Sequence, residues 1–331
     1  MIISKTPYRI SLFGGGTDFP EWFTKNSGAV LSASIDKYCY LSCRKLPPFF
    51  PHKHRFVYSR IEDIVKLEDI RHPCLKHVFK WLNITDGLEI HHDGDLPARS
   101  GLGSSSSFTV GLLNVLNAHQ NLMSSKRELA KKAIYVEREL IKESGGWQDQ
   151  IAVSYGGFNY ITFKQNKTFE VEPVILSADT FENLTQRFLL FYTGVQRSAS
   201  ALEFAKIKTM HQQSKYYLAA KDLADEALSL IVSDDCNMAE FGRLLDEGWK
   251  IKKAFAPGVS NGWVDEVYAE AQRKGAIGGK LLGAGGGGFL LFFAEPQFHT
   301  SIIETLSKFT HVPFNFEFDG SKIALYQPQG L

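Results

Sequence analysis

In the stretch Pro97-Ala98-Arg99-Ser100-Gly101-Leu102-Gly103-Ser104-Ser105-Ser106-Ser107, two glycines and a run of hydroxyls lead straight into the apolar segment Phe108 to Ala118. Glycine lets a backbone approach a ligand closely and adopt dihedrals closed to other residues. The first turn of the helix expected here presents unpaired N–H groups at the positive end of its dipole. Together these features make an anion site, and the serine hydroxyls can cap the helix or reach a metal ion held by the anion. The chemistry indicated is a nucleotide's phosphates with Mg2+. A flexible Ser-rich linker would not be followed at once by an apolar helix.

The 331 residues are 44% hydrophobic and 22% charged, with a formal net charge of +1. This is a globular composition, and the length favours two domains. Near-neutral charge leaves no electrostatic footprint for nucleic acid or an anionic membrane, so neither is expected as a partner and phosphate recognition must be local. The start, Met1 to Arg9, has charge and proline where a signal peptide needs an apolar core. No apolar run is long enough to span a bilayer, and a cytoplasmic location is expected. Cys39, Cys43, Cys74 and Cys236 show neither a CxxC pair nor zinc spacing. The pairs His52/His54 and His91/His92 lack a third ligand, so no transition metal is expected. Oligomeric state is left open.

Around the loop, Tyr8-Arg9-Ile10-Ser11-Leu12-Phe13 alternates like a strand and breaks into Gly14-Gly15-Gly16-Thr17-Asp18, a second place where backbone meets a ligand. Val30–Ile35, Lys37–Cys43 and Gly87–His92 read as further strands, and 61–82 as one or two short helices. Lys126 to Lys142 is strongly helical: Leu129, Ala133, Val136 and Leu140 form one row, and Ala130, Ile134, Glu137 and Ile141 the next. Glu137 therefore occupies an apolar stripe, where a carboxylate needs a basic or metal partner. Glu139 lies on the solvated face. Gly145-Gly146 ends the helix, and Asp149 falls in the first turn of a shorter one. The chain turns polar near Ser177–Asn183, which sets expected domains at 1–178 and 179–331. Beyond lie a strand at 187–193, helices at 199–232, 238–255 and 263–274, and strands at 289–293, 313–318 and 322–326. Strands and helices do not alternate regularly, so both halves are expected to be α+β.

Gly283, Gly285 and Gly288 fit G-x-G-x-x-G, but that fingerprint needs a helix after it, and here the apolar strand Phe289–Phe293 follows. Lys280 is followed by Leu281, so there is no Walker A sequence, and H-R-D and D-F-G are absent. Three glycine-bearing loops in one chain nevertheless favour phosphate binding.

The runs Arg9 to Asp18, Pro97 to Ser105 and Leu282 to Gly288, in that order and spacing, resemble the three motifs of the GHMP kinases (galactokinase, homoserine kinase, mevalonate kinase, phosphomevalonate kinase). Within the superfamily, Gly14-to-Asp18, Gly146-Trp147-Gln148-Asp149-Gln150 and Gly275-to-Phe289 are most similar to the bacterial D-glycero-D-manno-heptose 7-phosphate kinases, and fucokinase-type sugar kinases share much of the pattern. The resemblance implies a ribosomal-S5-like N-terminal domain, a ferredoxin-like C-terminal domain, and ATP in the cleft between them. It implies that Gly101, Leu102, Gly103, Ser104, Ser105 and Ser106 hold ATP, with Ser105 and Glu137 on Mg2+. Asp149 maps to the catalytic base and Arg9 to the basic residue beside it. Gly15, Gly16, Thr17 and Asp18, with Gly285 and Gly286, fall where relatives hold the sugar. Gly15-Gly16 replaces the Glu-His of galactokinase, which argues against plain galactose. A sugar carrying a second phosphate needs basic groups on its side of the cleft, for which Arg197, Lys37 and Arg99 are candidates. The expected activity is phosphorylation of an anomeric hydroxyl. Alternatives are a fucokinase-type enzyme acting on a free monosaccharide and a sugar-sensing protein built on an inactive kinase.

Overall fold

A computed structural model describes residues 1–195 and 200–328, and Arg197 lies outside the described residues. Its organising element is β2 (Gly28–Lys45), which follows β1 (Ile2–Phe13) and pairs with it antiparallel along nearly its whole length. The sequence suggests two strands separated at Asp36, but one strand runs through. The register jumps from Tyr8↔Ile35 to Pro7↔Tyr38, so the interruption is a bulge at Asp36 and Lys37 opposite a proline that has no N–H to pair.

The first half of β2 then pairs with β6 (Phe158–Phe163) and the second half with β5 (Leu88–Gly94). With β3 (His54–Val57), β4 (Ile61–Ile64), β7 (Phe169–Pro173) and β12 (Lys322–Tyr326), this makes an eight-stranded sheet. Part of the segment 61–82 is therefore strand, and only Pro73–Trp81 is α-helix. A second, antiparallel sheet has the order β11-β8-β10-β9, from β8 (Phe188–Tyr192), β9 (Ala276–Leu281), β10 (Phe289–Ala294) and β11 (Thr310–His311). The chain after residue 179 does not stay with that sheet. Its last strand crosses back to β1, and the expected strand at 313–318 is a connection that touches β2 through one bridge, Ile35↔Phe316. The fold is α+β; one core cluster joins buried residues of both sheets, and the opposite face of the second sheet packs in a cluster of its own.

Two helices depart from the periodicity. The expected helix 199–232 is interrupted between Ser200–Thr209 and Ser214–Ile231, where Met210 turns into the core. The helix starting at Lys126 is capped by a Ser125–Glu128 capping box, but remains α-helical only to Tyr135. Val136–Leu140 is a π-helical turn, closed by the Ile141 N–H donating to Val136 O at 2.9 Å. Such turns insert one residue into the helical phase and concentrate at functional sites.

Candidate active site

The Ser-rich run forms a helix, Ser104–His119, whose N-cap is Gly103 with φ +75° and no side-chain cap. The sequence suggests a capping serine. Instead the hydroxyls of Ser104 and Ser107 are used elsewhere: Ser104 Oγ accepts from the Arg99 N–H (3.1 Å), and Ser107 Oγ donates to Pro7 O (2.8 Å). With no side chain over it, the first turn faces a cavity of about 400 Å³ lined by both glycine-rich loops and by Arg9, Asp149 and Glu137. The loops touch backbone to backbone. A Cβ on Gly101 would stand 2.6 Å from Leu282 O, and one on Gly288 would stand 2.3 Å from Ser100 O. The glycines at these contacts are thus required by close approach, one run against the other.

Strand β1 delivers Arg9 to the cavity. Its N–H donates to Leu102 O (3.0 Å), and its guanidinium reaches Gly101 O through Nη1 (2.7 Å). The rest of the fork holds Asp149 in a bidentate pair, Nε to Oδ1 at 2.7 Å and Nη2 to Oδ2 at 2.6 Å. Asp149 lies in the first turn of the helix Gln148–Tyr155, and its side chain keeps 31% of its surface exposed. Two of the roughly four lone-pair directions of the carboxylate are taken by Arg9, leaving the others for a ligand. Gly103 fits between them: a Cβ there would lie 3.1 Å from Arg9 Cγ and 3.5 Å from Asp149 Oδ2.

Glu137 enters from the π-helical turn, 4% exposed. Its Oε2 accepts from Ser106 Oγ (3.0 Å) and from Gln150 Nε2. Its Oε1 is buried with no hydrogen-bond partner. Burial, with repulsion from Glu143 added, pushes this carboxyl up to about 8. An orphaned buried carboxylate oxygen in a cavity lined by glycine-rich loops fits a divalent cation, which would supply the missing partner. The side chain beside it is Ser106, whereas Ser105 is exposed on the first turn and lines the cavity without touching Glu137.

Residues 69–157 match the family model described as GHMP kinases N terminal domain, and residues 233–308 the one described as GHMP kinases C terminal. Over 326 residues, 93% of each chain, the sequence is 32% identical to a D-glycero-alpha-D-manno-heptose 7-phosphate kinase of Campylobacter jejuni. The chain is a GHMP kinase. It is also 27% identical, over 87% of its length, to a bifunctional fucokinase/GDP-fucose pyrophosphorylase of Arabidopsis thaliana, of which it spans 29%. A crystal structure described as a D-glycero-D-manno-heptose 1-phosphate kinase from Bacteriodes thetaiotaomicron superposes with a TM-score of 0.79, covering 99% of this chain and 100% of that one; at 24% identity the likeness is one of fold. With sugar kinases as its relatives, this GHMP kinase is an ATP-dependent sugar kinase.

The remaining sequence-derived residues of this GHMP kinase take different places. Gly15, Gly16 and Asp18 line the cavity. Asp18 also accepts from the Gln148 N–H (3.1 Å) and the Gly16 N–H (2.9 Å), so it caps the helix that carries Asp149. Burial raises its carboxyl above the usual range. Thr17 does not reach the cavity: fully buried, its hydroxyl donates to Gly14 O (2.8 Å) and Ala29 O (2.9 Å). Gly285 lines the cavity, while the Gly286 N–H is tied to Val259 O. Arg99 is at the rim, and Lys37 pairs with Asp36 (2.9 Å) at the β2 bulge.

Glu203, Lys206, Lys252 and Lys280 also line the cavity, and the sequence does not single them out. Glu203 and Lys206 sit on a helix with only weak apolar periodicity, Lys252 lies within the basic stretch Lys250–Lys253, and Lys280 follows two glycines in a strand. Nothing in such contexts separates a cavity cation from a surface one. Among the described residues, no helix is long and apolar enough to cross a membrane.

Proposed function

We propose that this GHMP kinase transfers the terminal phosphoryl group of ATP to the anomeric hydroxyl of D-glycero-D-manno-heptose 7-phosphate, giving the 1,7-bisphosphate. The chemistry rests on one observation above all: Asp149, gripped in two hydrogen bonds by Arg9, stands directly beside the glycine at the mouth of the phosphate loop. Phosphoryl transfer asks for positioning and charge neutralisation more than for covalent chemistry. Residues 1–178 supply the loop Gly101–Ser106 and the Arg9–Asp149 pair, and residues 179–331 supply the loop Gly283–Gly287 packed on it.

In this reading the open first turn of Ser104–His119 takes the phosphates of the nucleotide. Asp149 accepts the proton of the attacking hydroxyl through a lone pair that Arg9 leaves open. An anomeric hydroxyl is more acidic than an ordinary alcohol, so a modest base suffices. Arg9 fixes the carboxylate and, through Gly101 O, couples it to the loop. Glu137 and Ser106, with Ser105 on the same turn, would hold Mg2+, which when bound neutralises charge on the phosphates. Gln150 orients Glu137, and Asp18 orients the helix start at Gln148.

The substrate assignment draws on the full-length similarity to the Campylobacter jejuni heptose 7-phosphate kinase and on Gly15-Gly16 in the first motif. The similarity to a plant fucokinase supports a second reading, in which the acceptor is a free monosaccharide. A kinase assay over paired sugars with and without a terminal phosphate separates the two, with the phosphate position on the product read by NMR. The expected product is phosphorylated at C1, with heptose 7-phosphate preferred over every free sugar. Preference for fucose or another unphosphorylated sugar overturns the first reading in favour of the second.

A further inference from the structure

Three lysines from separate elements, two outside the glycine runs and Lys280 within Gly275-to-Phe289, close one wall of the cavity. Lys206 Nζ donates to Ala284 O (2.7 Å), Lys252 Nζ to both Leu281 O and Gly283 O (2.7 Å each), and Lys280 Nζ to Leu12 O (2.6 Å). Lys206 and Lys280 are each 5% exposed. An ammonium group has three N–H donors, and these contacts use one, two and one of them. All the hydrogen bonds these lysines make among the described residues go to backbone carbonyls, not to carboxylates.

The charges around them do not balance locally. Lys252 feels Lys280, Lys206 and Arg9 as like charges and Asp149 as the opposing one, while Lys280 feels Arg9 and Lys206. Lys206 alone faces further acids, Glu203 and Asp18. Arg9 is already paired with Asp149. Burial and this mutual repulsion bring the Lys280 ammonium down to about 7 and hold Lys252 well below its ordinary range, while burial alone brings Lys206 down to about 8. If the lysines served only to hold the carbonyls of the Leu281–Ala284 loop, neutral donors would do so without the penalty of burying like charges. A cluster of cations with remaining donors in the wall of a ligand cavity is explained by an anion that arrives with the ligand.

We propose that Lys206, Lys252 and Lys280 form a second anion seat in the cleft, separate from the Gly101–Ser106 loop, which takes a phosphate monoester dianion. The proposal rests on reading the cleft as a phosphoryl-transfer site. The dianion has two possible sources with the same chemistry: the phosphate already carried by the acceptor sugar, or the terminal phosphate of the nucleotide.

The test is calorimetric titration without turnover, on the full chain. Four ligands are compared: heptose 7-phosphate against the free heptose, and a non-hydrolysable ATP analogue against ADP. The variants are Lys252→Gln and Lys280→Gln, which retain an N–H for the loop carbonyls but lose the charge, and Lys252→Arg, which keeps it; circular dichroism and melting curves check each fold. A tenfold or greater loss for the sugar phosphate in the glutamine variants, with free sugar unchanged and the arginine variant near wild type, supports the seat and assigns it to the acceptor's phosphate. The same loss confined to the ATP analogue supports the seat and assigns it to the transferred group. If both phosphate-bearing ligands keep wild-type affinity, or if free sugar and ADP weaken along with them, the seat is overturned and the lysines are loop clamps. The heptose assignment fails separately, through wild-type turnover of the wrong sugar, and the nucleotide titrations still decide the seat.

Discussion

Replacing Glu137 by glutamine removes a carboxyl whose ionisation the fold penalises and which, on the proposed reading, holds Mg2+, so stability and activity should move in opposite directions. In the folded protein the carboxyl is pushed up to about 8 by burial and Glu143, against an unfolded value of 4.5. The folded state therefore holds a proton that the unfolded state releases. Stability from this group is full below pH 4.5 and is lost as pH rises towards 8. A tenfold difference in proton affinity between the folded and unfolded states is worth about 1.4 kcal/mol, which gives a loss of about 3 kcal/mol by pH 7 and an upper limit of about 5 kcal/mol above pH 8. Glutamine retains an acceptor for Ser106 and Gln150 and carries no such dependence. Thermal melts of the ligand-free protein should show wild type and Glu137→Gln nearly equal at pH 4.5 to 5. The variant should gain over wild type steadily up to pH 8.5, by several degrees in Tm. Mg2+ with a nucleotide should reverse the order, because the cation engages the orphaned oxygen of the wild type only. Parallel Tm profiles across pH, or equal stabilisation of both proteins by Mg2+ with nucleotide, would refute the assignment of Glu137 as a buried, strained cation ligand.

Three further outcomes test the site. Asp149→Asn should remain folded and bind ATP normally, with turnover lowered by about two orders of magnitude or more, the scale of a positioned base; near-wild-type turnover removes Asp149 from proton transfer. Gly103→Ala should cost about 1–2 kcal/mol for the left-handed backbone, readable as a fall in Tm, and should depress kcat further because the new methyl presses on Arg9 beside Asp149. Glu139→Gln, at an exposed position two residues from Glu137, should leave the Mg2+ requirement unchanged; a raised requirement there would mean that the wrong face of the helix had been assigned to the metal.

Several of these features are plain from the residues alone. A glycine-and-serine run opening a helix is a local pattern of consecutive residues, and so Gly101 to Ser106 stands out in the sequence as a candidate anion loop, while its packing on Leu282 and Gly283 does not. Glu137 stood out because a carboxylate in an apolar helical row violates a periodic pattern, and three glycine runs in fixed order pointed to the family. Other features depended on tertiary packing. Ser106 rather than Ser105 bonds Glu137, a pairing of two separate helices, and Glu137 itself sits in a π-helical turn that nothing in the periodicity of 126–142 announces. Asp18 caps the Gln148 helix across 130 residues of sequence, while Thr17 beside it turns inward to bind backbone. The lysines at 206, 252 and 280 converge from two helices and a strand, none adjacent in the chain. None of these lysines breaks an apolar periodic row as Glu137 does, and whether a lysine is solvated or buried against like charges is settled only when separate segments are brought to the same cavity wall.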